Sequence, residues 1–398
     1  MNPMSTDRDP LITGIGLVSC LGEGEAAHLA ALDDFTPVVD ETSFAPYAVH
    51  PMTTLALDTQ IPRRGDQRQM EAWQRIGVYA AGLALDSARA KGDAALLERM
   101  DMIVAAGGGE RDYTVDAAIL AGLPTAADPD LYLNEHLLAD IRPTLFLAQL
   151  SNLLAGNISI VHGVTGSSRT FMGEEAAGAD ALHIACARIE AGQSEICLTG
   201  GSFNAQRPDA FLHNAMGHAL WRHKFAPLWS RVARGGGSVL GSVGCFLVIE
   251  SRAHARARGV VPKARVAGVR TDRCGREPGQ ATANATRQIA SLGGPSAASA
   301  VISGSCGAPK VTAEELAFLQ NLGLPMRAAA TALGNSVEPS FPAAVALAAM
   351  SIARGRLFPP LEAPLEAPLE GPLAGLFVTS WGIWRGESTA LVTPAQET

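Results

Sequence analysis

The stretch GSSRTFMGEEAAGADALHIACARIEAG, residues 166–192, gathers the side chains best placed to do chemistry. A β-prone run, Arg169 to Met172, meets a Gly173-Glu174-Glu175 corner, and the small-residue pattern beyond it predicts a helix ending before Gly192. A strand-to-helix corner of this kind presents a side chain at the positive end of a helix, where negative charge is favoured. No serine or cysteine nucleophile stands there; two glutamates do. The simplest role for Glu174 and Glu175 is that of first-turn acids stabilising the helix. The sharper one is that Glu175 fills a pocket and hydrogen-bonds groups across it. The helix end favours its ionised form while burial favours the neutral one.

Other chemistry-bearing residues fit a site less well. His213, His218 and His223 recur at five-residue intervals, which on a helix turns successive side chains about 140° apart and opposes a shared metal. The six cysteines, Cys20, Cys186, Cys197, Cys245, Cys274 and Cys306, lack any C-x-x-C spacing, so neither a zinc site nor a disulfide framework is expected. Cys186 and Cys306 are conceivable displaced nucleophiles, but neither stands at the corner that would activate a thiol. Gly14 and Gly16 invite a dinucleotide reading that their spacing fails. The triplets NIS at 157–159 and NAT at 284–286 match a glycosylation acceptor, without meaning in a cytosolic chain.

The elements that must position the corner follow α/β logic. PLITGIGLVSCLG (10–22) predicts a strand and turn, followed by a helix in EGEAAHLAAL; residues 68–92 predict one long helix, and MDMIVAAGGGE (100–110) a strand ending in glycines. LFLAQLSNLLAGNISIVHG (145–163) predicts a helix running into a strand, EICLTGGSFNA (195–205) a strand, and GSVGCFLVIESRAHARARG (241–259) a strand and basic helix. After a short strand in VVPKARVAG the pattern restarts: a helix around 278–291, a strand near 299–307, a helix in TAEELAFLQNLG and a small-residue segment from Ala330. Two similar α/β halves, 1–251 and 262–398, are expected. LEAPLEAPLEGPL (361–373) carries proline in each four-residue unit, so it predicts an extended surface linker rather than a helix. GLFVTSWGIWRGESTALVT predicts a closing strand pair.

At 398 residues and 47% hydrophobic, the chain exceeds one ordinary core and is too apolar for disorder. No eighteen-residue apolar run and no basic-then-apolar start in MNPMSTDRDP point to a membrane or a leader, so a cytoplasmic protein is expected. The formal charge of -8 and the dispersed arginines argue against nucleic acid.

Several of these segments together resemble the β-ketoacyl synthases of the thiolase fold. The likeness runs through ITGIGLVSCLGEG, through the corner with Gly163, Gly166 and Gly178 in place, through GSVGCFLVIESRAHARARG and through SWGIWRGESTALV. It implies a thiolase-like fold of layered α-β-α-β-α architecture. The family's condensing enzymes use a cysteine at the corner, two histidines and a lysine. Matched onto this chain, the cysteine position is Glu175, the histidine positions are Ser303 in ISGSCGAP and Asn335 in AATALGN, and the lysine position is Ala330. The glutamate of the family's G-E-G turn falls on Ser242.

These substitutions remove the chemistry. A carboxylate is a weak nucleophile whose acyl adduct would be a hydrolysable anhydride, and losing one oxyanion donor costs on the order of 10²–10³ in rate. A negative Glu175 would also repel a malonyl carboxylate. The resemblance therefore points to a non-catalytic subunit of chain-length-factor type, paired with an active ketosynthase through the strand SRTFMG and shaping its acyl pocket in polyene or polyketide assembly. No metal or cofactor is implied, and acyl carrier protein is expected to dock mainly on the partner. Chain-length factors usually carry glutamine at the cysteine position, so Glu175 departs from the aromatic-polyketide pattern. Pocket or interface candidates are Phe171, Met172, Glu174, Tyr113 within GERDYTVDAAIL, and Leu133 within LYLNEHLL. The alternative is a homodimeric enzyme that uses Glu175 as acid or base in decarboxylation, hydrolysis or acyl transfer on carrier-bound chains.

Overall fold

Ten principal strands carry the architecture. They are β1 (Pro10–Ser19), β2 (Asp101–Ala105), β3 (Ser168–Phe171), β4 (Ile196–Phe203), β5 (Val243–Ser251), β6 (Ala264–Asp272), β7 (Ser299–Ser303), β8 (Met326–Ala328), β9 (Gly375–Trp381) and β10 (Glu387–Thr393). The computed structural model describes residues 6–395; the first five residues, within the segment expected to lack a leader, and the last three lie outside them.

The first five strands lie in the order β3-β2-β4-β5-β1 and the second five in the order β8-β7-β9-β10-β6. Counted within each half, both orders read third, second, fourth, fifth, first. The directions repeat as well: β2 runs parallel to β3 and β4, β5 antiparallel to β4 and β1, and the second half copies each relation. A short antiparallel contact, Leu11 with Arg265 and Ile12 with Ala264, joins the halves edge to edge. The fold is thus a duplicated α/β unit.

Helices fill three layers around the two half-sheets. The helices named below are α1 (Ala72–Ser87), α2 (Tyr113–Gly122), α3 (Pro129–Ala139), α4 (Pro143–Ala148), α5 (Leu153–His162), α6 (Glu175–Glu190) and α7 (Ser340–Ala353). α6 and α7 pack on each other and on strands of both halves, which makes them the central layer. A helix enclosed on every side must be apolar all round, and Ser340 through Ile352 are all buried. Alanine at five of those positions lets neighbouring backbones approach, while each fully buried Val or Leu contributes about 1.5–3 kcal/mol. α1 and α5 cover the outer face of the first half, and the helices Gln280–Ser291 and Val311–Leu322 cover that of the second.

Gly14 and Gly16 serve this packing. A Cβ on Gly16 would stand 1.9 Å from the carbonyl oxygen of Ala80, and one on Gly14 2.3 Å from that of Ala84, so α1 lies directly on β1.

Three expectations change. The predicted helix over 68–92 is two: Arg64–Gln69 ends before Glu71, whose side chain and Gln74 form a reciprocal capping box that starts α1. The strand expected in NISIVHG is the C-terminal part of α5, closed by Gly163 at φ 78°. The proline-rich repeat is irregular, as its prolines require, but it is not a passive linker. Glu362 accepts the N–H of Trp229 at 2.9 Å, and Glu366 accepts the N–H groups of Ala328 at 2.8 Å and Leu361 at 2.7 Å. Both glutamates are buried, so the repeat is a strap pinned to Trp229 in the first half and to Ala328 in the second.

Candidate functional site

The corner is built by backbone. β3 ends at Phe171, Gly173 takes φ 139°, and Glu174 takes φ 62° and ψ -143°, a left-handed position unusual for a residue with a side chain. α6 starts one residue later. Its Gly178 lies against the loop before α7, where a Cβ would meet the carbonyl oxygen of Glu338 at 2.2 Å. That contact fixes the corner against the segment Asn335–Glu338.

Glu175 is 1% exposed, so it is not a solvated first-turn acid. Asn335 Nδ2 donates to its Oε1 at 3.3 Å and the Ile383 N–H donates to its Oε2 at 3.4 Å. Burial lifts the carboxyl above the ordinary carboxylate range; its own N–H and the Asn335 amide pull it back, and Glu174 pushes it further up. Asn335 is held in turn: its Oδ1 accepts from Val337 N–H at 3.1 Å and Ser340 Oγ at 3.2 Å. Two of the sequence-assigned positions, Glu175 and Asn335, therefore meet.

Ser303 does not join them. Its hydroxyl donates to Glu315 Oε1 at 2.9 Å, as does that of Thr379, in a fully buried cluster. Burial raises Glu315 to about 7 against the pull of those hydroxyls. Ala330 supplies no ammonium and lines a cavity of about 10 Å³ with Gly304 and Ser340, close to the space of one water. Ser242 accepts the Ala205 N–H at 2.9 Å, a structural duty.

The corner opens on a cleft of about 460 Å³. Met172, Glu174 and Glu175 line it from the corner, the glycines 107–109 and Glu338 line it together, and Ile383 and Trp384 line it from the β9–β10 turn. Glu338 follows Val337, a β-branched residue at φ 56°, and its carboxyl rests where a Cβ on Gly107 would be, 2.3 Å away. Burial pushes Glu338 up to about 8, with Glu175 and Glu174 acting in the same direction. Arg207, also on the wall, draws Glu338 down. Two strained backbone positions and a cluster of carboxyl groups thus converge on one cleft.

The other candidates scatter. Phe171 turns away from the cleft into a cluster with Ile103, Ala105 and Ala177. Tyr113 and Leu133 are exposed on α2 and α3 and line no part of the cleft. His213 stands on the cleft wall while His218 and His223 border another surface recess, and no group of metal-ligating side chains forms among the described residues. Cys186 is buried in the central core, and Cys306, near Glu175, is buried too; burial raises both thiols far above reactivity at neutral pH.

Sequence reasoning missed Glu338 and Glu315. Glu338 sits three residues beyond Asn335 in the same loop. Glu315 falls on the helical stripe Val311, Thr312, Phe318 and Leu319, all buried, a pattern that marks an inward-facing carboxyl.

Comparison with known proteins matches the family model described as β-ketoacyl synthase, N-terminal domain, over residues 46–255, more than half of the chain. No curated protein sequence matches. Among solved structures, the ishigamide ketosynthase/chain length factor superposes with a TM-score of 0.77 at 19% identity, covering 98% of this chain and 100% of that one. A β-ketoacyl synthase from Burkholderia phymatum STM815 gives 0.74 at 18% identity with the same coverage. A type II polyketide synthase acyl-carrier protein in complex with its ketosynthase bound to the hexaketide gives 0.72 at 16%, again covering 98% and 100%.

Proposed function

The chain belongs to the β-ketoacyl synthase family, and from that premise we propose that it is a non-catalytic subunit of chain-length-factor type, paired with an active ketosynthase in polyene or polyketide assembly. The observation that carries the reading is the seat of Glu175: its carboxyl stands at the start of α6 and takes the Asn335 amide and the Ile383 N–H. The Ile383 N–H and one of the two Asn335 amide hydrogens are thereby engaged by the chain's own carboxyl. The side chain that should carry the acyl group is a poor nucleophile, Ser303 is committed to Glu315, and Ala330 brings no charge.

Influence on product length then passes to the neighbour. β3 is the outer strand of the first half and Met172 beside it is 59% exposed, which suits a shared pocket wall. The net charge of -8 assigns acyl carrier protein chiefly to the partner's surface.

A second reading, acid or base catalysis by Glu175 in a self-paired enzyme, draws on its raised affinity for a proton inside an open cleft. One assay separates the two. The purified chain is incubated with an acyl-carrier thioester and followed by intact mass and thioester loss. The subunit reading expects no adduct and no turnover. Acylation of this chain, or turnover lost in Glu175→Ala, overturns it.

A further inference from the structure

The outer edge of β3 carries a charge that bears on which chain can pair there. Met102 N–H donates to the Ser167 carbonyl at 2.9 Å and Ala106 N–H to that of Phe171 at 3.0 Å, so residues 167 and 171 turn their backbone groups inward to β2. With a period of two, Arg169 belongs to that inward set, and Ser168 and Thr170 offer free N–H and C=O groups at the open edge. Arg169 itself is exposed. It has no ion-pair or side-chain hydrogen-bond partner among the described residues. Its register neighbour on β2 is the apolar Ile103, and the nearby Arg188 of α6 is already bound by Asp101 at 2.7 Å.

A second copy extending the sheet antiparallel is related by a two-fold axis normal to it. Such an axis keeps every residue on its own face, so only residues of the same parity can be opposed. Two registers then overlap this four-residue strand best. Centred on Arg169, the two arginines face each other as a non-hydrogen-bonded pair, with Cα atoms about 4.5 Å apart. Centred on Thr170, Arg169 faces Phe171 and the two arginines are diagonal neighbours, still within reach of long side chains. Either way two unneutralised guanidinium groups converge, and like charges across paired strands destabilise the pairing.

We infer that the open edge of β3 selects a different polypeptide, one presenting an aspartate or glutamate to Arg169, over a second copy of this chain. The inference rests on the proposed subunit role, because that role is what makes this edge a contact. The full chain and its Arg169→Glu variant, differently tagged, serve as a defined pair in native mass spectrometry and sedimentation at low salt. Mixed dimers should form at least about fivefold more tightly than wild-type dimers, with the difference shrinking toward 0.5 M salt as the charges are screened. The neutral variant Arg169→Thr should self-associate more tightly than wild type.

A statistical mixture with Arg169→Thr unchanged overturns the inference, and so does absence of any mixed pairing. The acylation assay reads the inert centre separately: a chain that pairs with itself regardless of residue 169 leaves the subunit's chemistry untouched, and an acylated chain leaves the pairing bias untouched.

Discussion

Glu338 keeps its proton in the folded chain up to about pH 8, whereas its ordinary value is 4.5. The fold therefore holds a proton that the unfolded chain releases. This contribution to stability is complete below about pH 4.5 and is lost as pH climbs through about 8. Glu315 acts in the same sense, ending near pH 7. Glu338→Gln keeps the shape and removes the titration, so the fall in Tm between pH 5 and pH 9 should be smaller in the variant, with the two proteins nearly equal at pH 5. Parallel curves would show that Glu338 does not hold this proton. Much of the site was readable one residue at a time: the corner, Glu175 and Asn335 follow from local pattern and resemblance. That Ser303 turns to Glu315 was not, because a hydroxyl's partner depends on which helix packs over its strand, and that lies in the tertiary arrangement.

At the level of elements, the close seat of α1 on β1 makes a sharp claim. Gly16→Ala places a methyl group against the Ala80 carbonyl and the Ala84 nitrogen, both backbone atoms that cannot swing aside. A loss of about 3 kcal/mol in urea unfolding is expected, and a change within 0.5 kcal/mol would mean that the two elements are more loosely seated. Most elements were legible from periodicity. α5 was misjudged because NISIVHG is rich in β-branched residues, yet Leu154, Ala155, Ile158 and His162 are buried and Ile160 exposed, a helical period. The break before α1 follows from Glu71 and Gln74, a cap signal that the apolar pattern around it masks. The strap escaped notice because glutamate between prolines looks solvated until the orphan N–H groups it satisfies are in view.

Over the whole molecule, apolar surface is concentrated on one sequence region. Leu120 of α2, Leu131, Leu137 and Leu138 of α3, and Phe146 of α4 are exposed, the last two at 78% and 74%. No residue of α3 is buried. An apolar surface of this kind marks an interaction site. Replacing Leu138 and Phe146 by serine should raise the soluble yield of the chain expressed alone and weaken its co-purification with a ketosynthase; unchanged co-purification would take these helices out of the interface. The duplicated topology was legible as a restart of pattern, but its identical strand order was not, because order depends on which edges meet. The strap adds a last consequence. Glu362 and Glu366 are seated while Glu370, one unit further on, is exposed. Three teeth serve two notches, so loss of a single four-residue unit would let the remaining pair re-engage one step along, and the tract can change length without releasing its grip.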